Sequence, residues 1–158
     1  MINILFVCMG NICRSPSAEG FFVSALQSSK HRECVSTDSA GTHSYHVGHA
    51  PDPRAVSTAL DFGVDISHLR ARKVSASDFD RFDLIIAMDG SNFSDLQRIQ
   101  PDDSKASLKM MMDFHPEAHP ADVPDPYYGG QEGFTYMCKL LDSATRGLLN
   151  DIEGRLGQ

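Results

Sequence analysis

With 158 residues, the chain has the length of one domain that can bury a substantial core. Its hydrophobic share of 41% and charged share of 22% are those of an ordinary globular protein. The net charge of −7 argues against a nucleic-acid-binding protein, which needs a basic surface, and the four cysteines form neither a dense disulfide framework nor a zinc motif.

The first residues, MINILFVC, contain no basic stretch and too short an apolar run for a signal peptide or a membrane span. We therefore expect a cytoplasmic protein with reduced thiols, no membrane association and a single domain over residues 1–158. The one concentrated basic stretch, residues 69–73, is interpreted as a solvated face.

Strand and helix patterns alternate along the chain. A short apolar run at 2–7 predicts a buried strand, and Ser15 and Pro16 then suit the N-cap and first position of a helix. Further strands are predicted at 34–40, 83–89 and 107–112, and further helices at 55–62, 91–99 and 134–152. This alternation predicts an α/β fold, in which a parallel sheet has helices on both faces.

The segment between the last strand and the last helix, residues 113–130, is long and contains four prolines. A loop of this length in a compact domain is usually functional or disordered. His115 and His119 lie four residues apart in it, but Pro116 and Pro120 disfavour the helix that a metal-binding pair would need. We therefore expect no metal site here.

The loop CMGNICR, residues 8–14, follows the first predicted strand, at the sheet edge where parallel α/β folds bind ligands. Such a loop can turn its backbone N–H groups inward, and the next helix adds the positive end of its dipole. We expect Gly10 to supply a backbone conformation closed to most residues, and Asn11 to tolerate the left-handed region. Arg14 offers a planar fork for two phosphate oxygens. The loop is typical of a site for a tetrahedral oxyanion.

Cys8 lies at the base of this predicted cradle, where inward N–H groups favour its thiolate form. A thiolate there would face the phosphorus of a bound monoester, while Arg14 and the N–H groups stabilise the transferring phosphoryl oxygens. The competing structural interpretation is that Cys8 only ends a strand and Arg14 only starts a helix. The C-x5-R spacing, followed by Ser-Pro after an apolar strand, favours the catalytic hypothesis.

The nonapeptide CMGNICRSP resembles the signature C-x-G-N-x-C-R-S-P of the low-molecular-weight protein tyrosine phosphatase family. The segments SAGTHSYHVGHAPDPRA, DISHLRAR, AMDGSN and DPYYGG are similar to family segments in the same order, so the resemblance covers essentially the whole chain. It implies a four-stranded parallel sheet flanked by helices, hydrolysis without metal or other cofactor, and a phosphocysteine intermediate. The implied partners are tyrosine-phosphorylated proteins or peptides, with inorganic phosphate as product and competitive ligand.

The resemblance also implies roles for single residues. Asp125, between two prolines of VPDPYYGG, would protonate the leaving oxygen and then act as base toward water. Tyr127 and Tyr128 would form one wall of the substrate pocket and Tyr45 the other, where eukaryotic-type members often have tryptophan. The remaining implied set comprises Ser15 as hydrogen-bond donor to the Cys8 sulfur, the loop residues Met9, Gly10, Ile12 and Cys13, and the supporting residues Asn11, Ser39, His68 and Asp89.

Three other functions remain open at this stage. Arsenate reduction on the same loop architecture needs further cysteines on a nearby segment, and residues 80–92 contain none. Phosphoarginine phosphatases of this type tend to have a small polar residue in place of Ile12, which favours an aryl substrate here. A non-catalytic phosphopeptide-binding module would not need Cys8 and Asp125 together.

The second cysteine of the loop, Cys13, has two interpretations. Its thiol either only packs in the loop or acts as a resolving thiol that traps oxidised Cys8 as a reversible disulfide. We expect the protein to be a monomer, with weak self-association through Tyr127 and Tyr128 as a way to block the site.

Overall fold

The computed structural model describes residues 1–157. In chain order its elements are β1 (Ile2–Cys8), α1 (Arg14–Leu26), β2 (Val35–Gly41), α2 (Pro53–Asp61), α3 (Asp78–Arg81), β3 (Leu84–Ala87), α4 (Gly90–Ile99), β4 (Ser107–Met110) and α5 (Gln131–Leu156), with short 3-10 helices at Arg32–Cys34 and Met111–Phe114. None of the helices in this part of the chain has the length and apolar character needed to cross a membrane.

The four strands form one sheet in the order β2-β1-β3-β4, and every neighbouring pair is parallel. β1 is central, with Ile4 opposite Thr37 on one side and Leu84 on the other. The predicted α/β class and the four-stranded parallel sheet are confirmed. Since all four strands run the same way, the loops that follow β1, β2 and β3 meet at one edge.

Side chains of β1 alternate between the two faces of the sheet, as the pleat requires. Ile4 and Phe6 pack in the larger core under α1, α2 and α5, where Phe22, Phe134 and Leu141 are fully buried. Leu5 and Val7 face a smaller core that includes residues of α3 and α4. Because β1 is buried on both faces, it appears in the sequence as a continuous apolar run.

Some details of the predicted elements differ from the structure, among them the strand predicted at 83–89, which spans only Leu84–Ala87. The helix α1 begins at Arg14, without a side-chain cap, because the Ser15 hydroxyl contacts the Cys8 sulfur and Asn11 instead of capping. The last predicted strand ends at Met110, because the next residues turn into a 3-10 helix that buries Met111 in the core. The four-residue helix α3 was not predicted, since a single turn is too short to show periodicity.

Candidate active site

The loop between β1 and α1 is fixed from outside through its carbonyl groups. The carbonyl of Cys8 accepts from the N–H of Thr42 at 2.9 Å, and that of Met9 accepts from His43 at 3.0 Å. The carbonyl of Ile12 accepts from the N–H of Asp52 at 2.9 Å. With these carbonyls bonded outward, N–H groups of the same loop are free to point inward, which is the geometry of an anion nest.

The Cys8 sulfur lies at the centre of this arrangement and is almost fully buried. The N–H groups of Asn11 and Ser15 donate to it at 3.3 and 3.4 Å, and the Ser15 hydroxyl oxygen lies 3.1 Å away. Hydrogen bonds from several donors stabilise a sulfur anion more than a neutral thiol. Two backbone N–H groups and one hydroxyl therefore surround the sulfur of the expected nucleophile.

Asn11 holds the shape of the loop. Its φ of 57° lies in the left-handed region, which asparagine tolerates better than most residues. Its side-chain amide donates to the hydroxyls of Ser15 at 2.7 Å and Ser39 at 3.0 Å. The expectation for Gly10 was wrong: it does not take up a left-handed φ, and a side chain there would come within 3.1 Å of the His46 ring.

The last bond to Asn11 comes from the basic stretch. The N–H of Arg72 donates to Asn11 Oδ1 at 3.0 Å, while the Arg72 guanidinium contacts the carboxylates of Asp38 and Asp78. Arg72 is thus part of the scaffold and not only of a solvated face. His68, expected to support the loop, is exposed and lies in a separate groove with Glu19, because the chain brings the Arg72 backbone to Asn11 instead.

Arg14 is 3% exposed and is held by acidic groups. Its Nη1 donates to Asp89 Oδ2 at 2.6 Å and to the Val123 carbonyl at 3.1 Å, and its Nη2 lies 3.6 Å from Asp125 Oδ2. Burial alone would lower the pKa of Arg14, but the negative charges of Cys8, Asp89 and Asp125 outweigh burial and raise it. Arg14 therefore stays a cation with its orientation fixed.

A cleft of about 240 Å³ opens above the Cys8 sulfur. The loop of residues 8–14, the candidate phosphate-binding loop, forms its floor, and residues that are distant in sequence form its walls. These lining residues are Cys8, Met9, Gly10, Asn11, Ile12, Cys13, Arg14, Tyr45, His46, Asp125, Tyr127 and Tyr128. The structure thus brings together the expected nucleophile, arginine, carboxylate and three tyrosines.

Aromatic rings surround the mouth of the cleft. Tyr45 and Tyr128 are exposed, and Tyr128 packs edge-on against Tyr127 with ring centroids 4.9 Å apart. Tyr127 is half-buried, and its ring centroid lies 6.1 Å from that of His46. His46 was missed in the sequence, where its position next to Tyr45 is the only signal. Flat rings on both sides of the opening suit an aryl group.

The two cysteines of the loop differ in their environment. Cys13 is buried beside Asp52, and burial followed by repulsion from Asp52 and Cys8 raises the pKa of its thiol far above the usual range. Cys13 is therefore protonated at neutral pH. Within residues 1–157 there is no cluster of three or more His, Cys, Asp or Glu side chains suited to a metal ion.

Comparisons with known proteins agree with this geometry. Residues 3–156 match the sequence model of the family described as low molecular weight phosphotyrosine protein phosphatase. A protein of that name from Schizosaccharomyces pombe is 43% identical over 84% of this chain and 85% of its own. A crystal structure of a protein tyrosine phosphatase from Entamoeba histolytica, with Hepes in its active site, superposes with a TM-score of 0.93 at 38% identity, covering 98% of both chains. The structure of YfkJ from Bacillus subtilis superposes with a TM-score of 0.91 at 35% identity, covering 98% of this chain and 96% of its own.

The Asn11 bonds predict a measurable loss when they are removed. Asn11→Ala deletes two buried hydrogen bonds and one part-buried one, each worth about 1 kcal/mol, and places alanine in a left-handed conformation that costs about 1–2 kcal/mol more. We expect urea denaturation to show a free energy of unfolding lower by about 4–5 kcal/mol, and calorimetry to show weaker binding of inorganic phosphate. Asn11→Gly, the matched control, should lose only the hydrogen-bond part. Equal losses for both variants would contradict the role of the left-handed turn.

Proposed function

Since the chain belongs to the low molecular weight phosphotyrosine protein phosphatase family and is a protein-tyrosine phosphatase, we propose that it hydrolyses phosphotyrosine through a covalent intermediate on Cys8. The position of the Cys8 sulfur supports this proposal, because two backbone N–H groups and the Ser15 hydroxyl converge on it at the floor of the cleft. The proposed substrates are tyrosine-phosphorylated proteins or peptides, and small aryl phosphates.

The first step transfers the phosphoryl group to sulfur. The phosphate oxygens of the substrate bind the loop N–H groups and the Arg14 guanidinium, which brings the phosphorus next to Cys8 Sγ. Sulfur attacks in line, a sulfur–phosphorus bond forms, and the bond from phosphorus to the phenolic oxygen breaks. Asp125 gives its proton to that oxygen, so that the leaving group departs as neutral tyrosine.

The second step releases phosphate. The Asp125 carboxylate takes a proton from a water molecule, whose oxygen attacks the phosphorus and displaces the Cys8 thiolate. A hydrogen bond from the Ser15 hydroxyl, 3.1 Å from the sulfur, stabilises the leaving thiolate. Inorganic phosphate is left in the loop as product and then competes with new substrate.

The walls of the cleft favour an aromatic substrate. Ile12 is an apolar residue at the cleft, and Tyr127, Tyr45 and His46 place rings around the opening. A phenyl ring entering between them loses contact with water and packs against flat side chains. Phosphoserine, which is shorter and lacks a ring, gains none of these contacts.

Replacing the nucleophile tests the proposal. Wild-type protein should release phosphate from a phosphotyrosine peptide much faster than from matched phosphoserine and phosphoarginine peptides. Cys8→Ser should lower kcat by at least about a thousandfold, as loss of a nucleophile does elsewhere, and still bind the phosphotyrosine peptide in calorimetry. Cys34→Ser, at an exposed cysteine outside the site, serves as the control. Turnover retained in Cys8→Ser, or a preference for phosphoarginine, would contradict the proposal.

We also propose that Cys13 protects Cys8 during oxidation. Hydrogen peroxide converts the Cys8 thiolate to sulfenic acid and is itself reduced to water; Cys13 then forms a disulfide with Cys8, and a second water leaves. Because the Cys13 thiol is buried and protonated, it does not compete for peroxide in the first step. Both cysteines line the same cleft.

If Cys13 protects Cys8, wild-type protein and Cys13→Ser should lose activity to peroxide alike but differ in how much activity they regain. After brief treatment with peroxide, wild-type protein should regain most of its activity on addition of dithiothreitol, whereas Cys13→Ser should regain less than about half as further oxidation consumes Cys8. Cys138→Ser, at another buried cysteine outside the cleft, should behave as wild type. Equal recovery of Cys13→Ser and wild type would show that Cys13 only packs in the loop.

A further inference from the structure

Arg54 lies at the start of α2 and contacts both parts of the active site without lining the cleft. Its Nε and Nη2 donate to the two oxygens of the Asp52 carboxylate at 3.0 and 2.8 Å, which is the bidentate geometry of a strong ion pair. The same Nη2 donates to the backbone carbonyl of Tyr127 at 3.0 Å. One guanidinium thus joins α2 to the loop that contains Asp125.

Asp52 connects this pair to the phosphate-binding loop. Its backbone N–H donates to the Ile12 carbonyl at 2.9 Å, and its carboxylate accepts from the Arg54 N–H at 2.8 Å, which caps α2. The Asp52 side chain is only 8% exposed, although that of Arg54 is 44% exposed. The carboxylate is therefore a fixed point, and Arg54 reaches outward from it.

Two aromatic rings restrict where the guanidinium can lie. Arg54 Cζ is 4.7 Å from the ring centroid of Phe134, which is fully buried, and 5.5 Å from that of Tyr127. Cation–π contacts at these distances add to the ion pair and disfavour other rotamers. Arg54 therefore has a single well-supported orientation, directed toward the Tyr127 carbonyl.

Tyr127 is bonded on both sides of its α-carbon. Its N–H donates to Asp125 Oδ1 at 3.0 Å, and its carbonyl accepts from Arg54. The prolines at 124 and 126 already restrict the backbone on either side of Asp125. What they leave free is the movement of this loop as a whole, and the Arg54 bond limits that movement.

We propose that Arg54 is a positioning residue that sets the distance between Asp125 and the phosphate-binding loop. A continuous chain of bonds runs from Ile12 through Asp52 and Arg54 to Tyr127, and from Tyr127 to the Asp125 carboxylate. This inference rests on the proposed role of Asp125 as the general acid. Arg54 itself does not touch the substrate.

The position of an acid matters most when the leaving group is basic. Phenyl phosphate releases phenol, which has a pKa of about 10 like a tyrosine side chain, whereas 2,4-dinitrophenyl phosphate releases a phenolate that needs no proton. Misplacing a catalytic group by about 1 Å can cost about a hundredfold in rate. Loss of the Arg54 bond should therefore affect the two substrates unequally, and a purely structural defect should affect them alike.

The experiment compares kcat/KM for these two substrates across matched variants of the full chain. Arg54→Gln should lower the value for phenyl phosphate by about 10- to 100-fold and that for 2,4-dinitrophenyl phosphate by less than about threefold. Arg54→Lys, which keeps the charge but not the fork, should fall between Arg54→Gln and wild type. Arg146→Gln removes another exposed arginine that pairs with an aspartate, and should match wild type on both substrates.

Equal losses on both substrates, or none on either, would overturn the proposal. If Arg54→Gln fails to fold, as judged by its thermal melt, the same two kcat/KM values are compared in Asp52→Asn, which removes the ionic partner of Arg54. Asp125→Asn, measured in parallel, separates this inference from the function on which it rests. If Asp125→Asn shows no dependence on the leaving group, the assignment of the acid fails; if it does and Arg54→Gln does not, only the role of Arg54 fails.

Discussion

The convergence of backbone N–H groups on the Cys8 sulfur is the constraint on which the rest of the site depends. A chain leaving a strand must turn sharply to direct the N–H groups of Asn11 and Ser15 back toward the last residue of that strand. The turn requires a left-handed residue at position 11, and Asn11 combines that conformation with side-chain bonds that hold it. Close packing helps, since a side chain at Gly41 would come within 2.7 Å of the Met9 carbonyl.

In a chain with net charge −7, the proposed binding of a phosphate anion depends on local charge. The field of the whole molecule repels phosphate, so attraction must come from short-range groups in the loop. Arg14 supplies the positive charge. Asp89 Oδ2 lies 2.6 Å from Arg14 Nη1 and holds the guanidinium at the cleft. Because buried cations are costly without partners, the same carboxylate that partly neutralises Arg14 also makes its burial possible.

The sequence was most informative where chemistry is local. The fold class and the loop were predicted from the apolar run of β1, the C-x5-R spacing and the alternation of elements. Each of these patterns can be recognised from residues that are close together in the sequence. Asp125 and the tyrosines came from resemblance, since nothing in their local pattern places them above Cys8. The role of Asp52 and Arg54 was not predicted at all, because their contacts with Ile12 and Tyr127 join segments far apart in the chain.

The errors have similar causes. A serine before a proline suits a helix cap, but the hydroxyl of Ser15 contacts the Cys8 sulfur instead. The contact within the site thus overrides the local capping preference of serine. An unusual backbone conformation was expected at both Gly10 and Asn11, but only Asn11 adopts the left-handed region, and its side chain forms hydrogen bonds that glycine cannot form. His68 was expected at the loop, but the backbone of Arg72 takes that place.

A covalent phosphocysteine is the central claim, and trapping it is the most direct test. A radiolabelled phosphotyrosine peptide is mixed with the wild-type protein, quenched with acid within the first turnover, and the labelled protein is mapped by proteolysis. The label should lie on the peptide containing Cys8 and be absent from Cys8→Ser. Release of phosphate at the normal rate with no label on the protein, or with label on another residue, would contradict it.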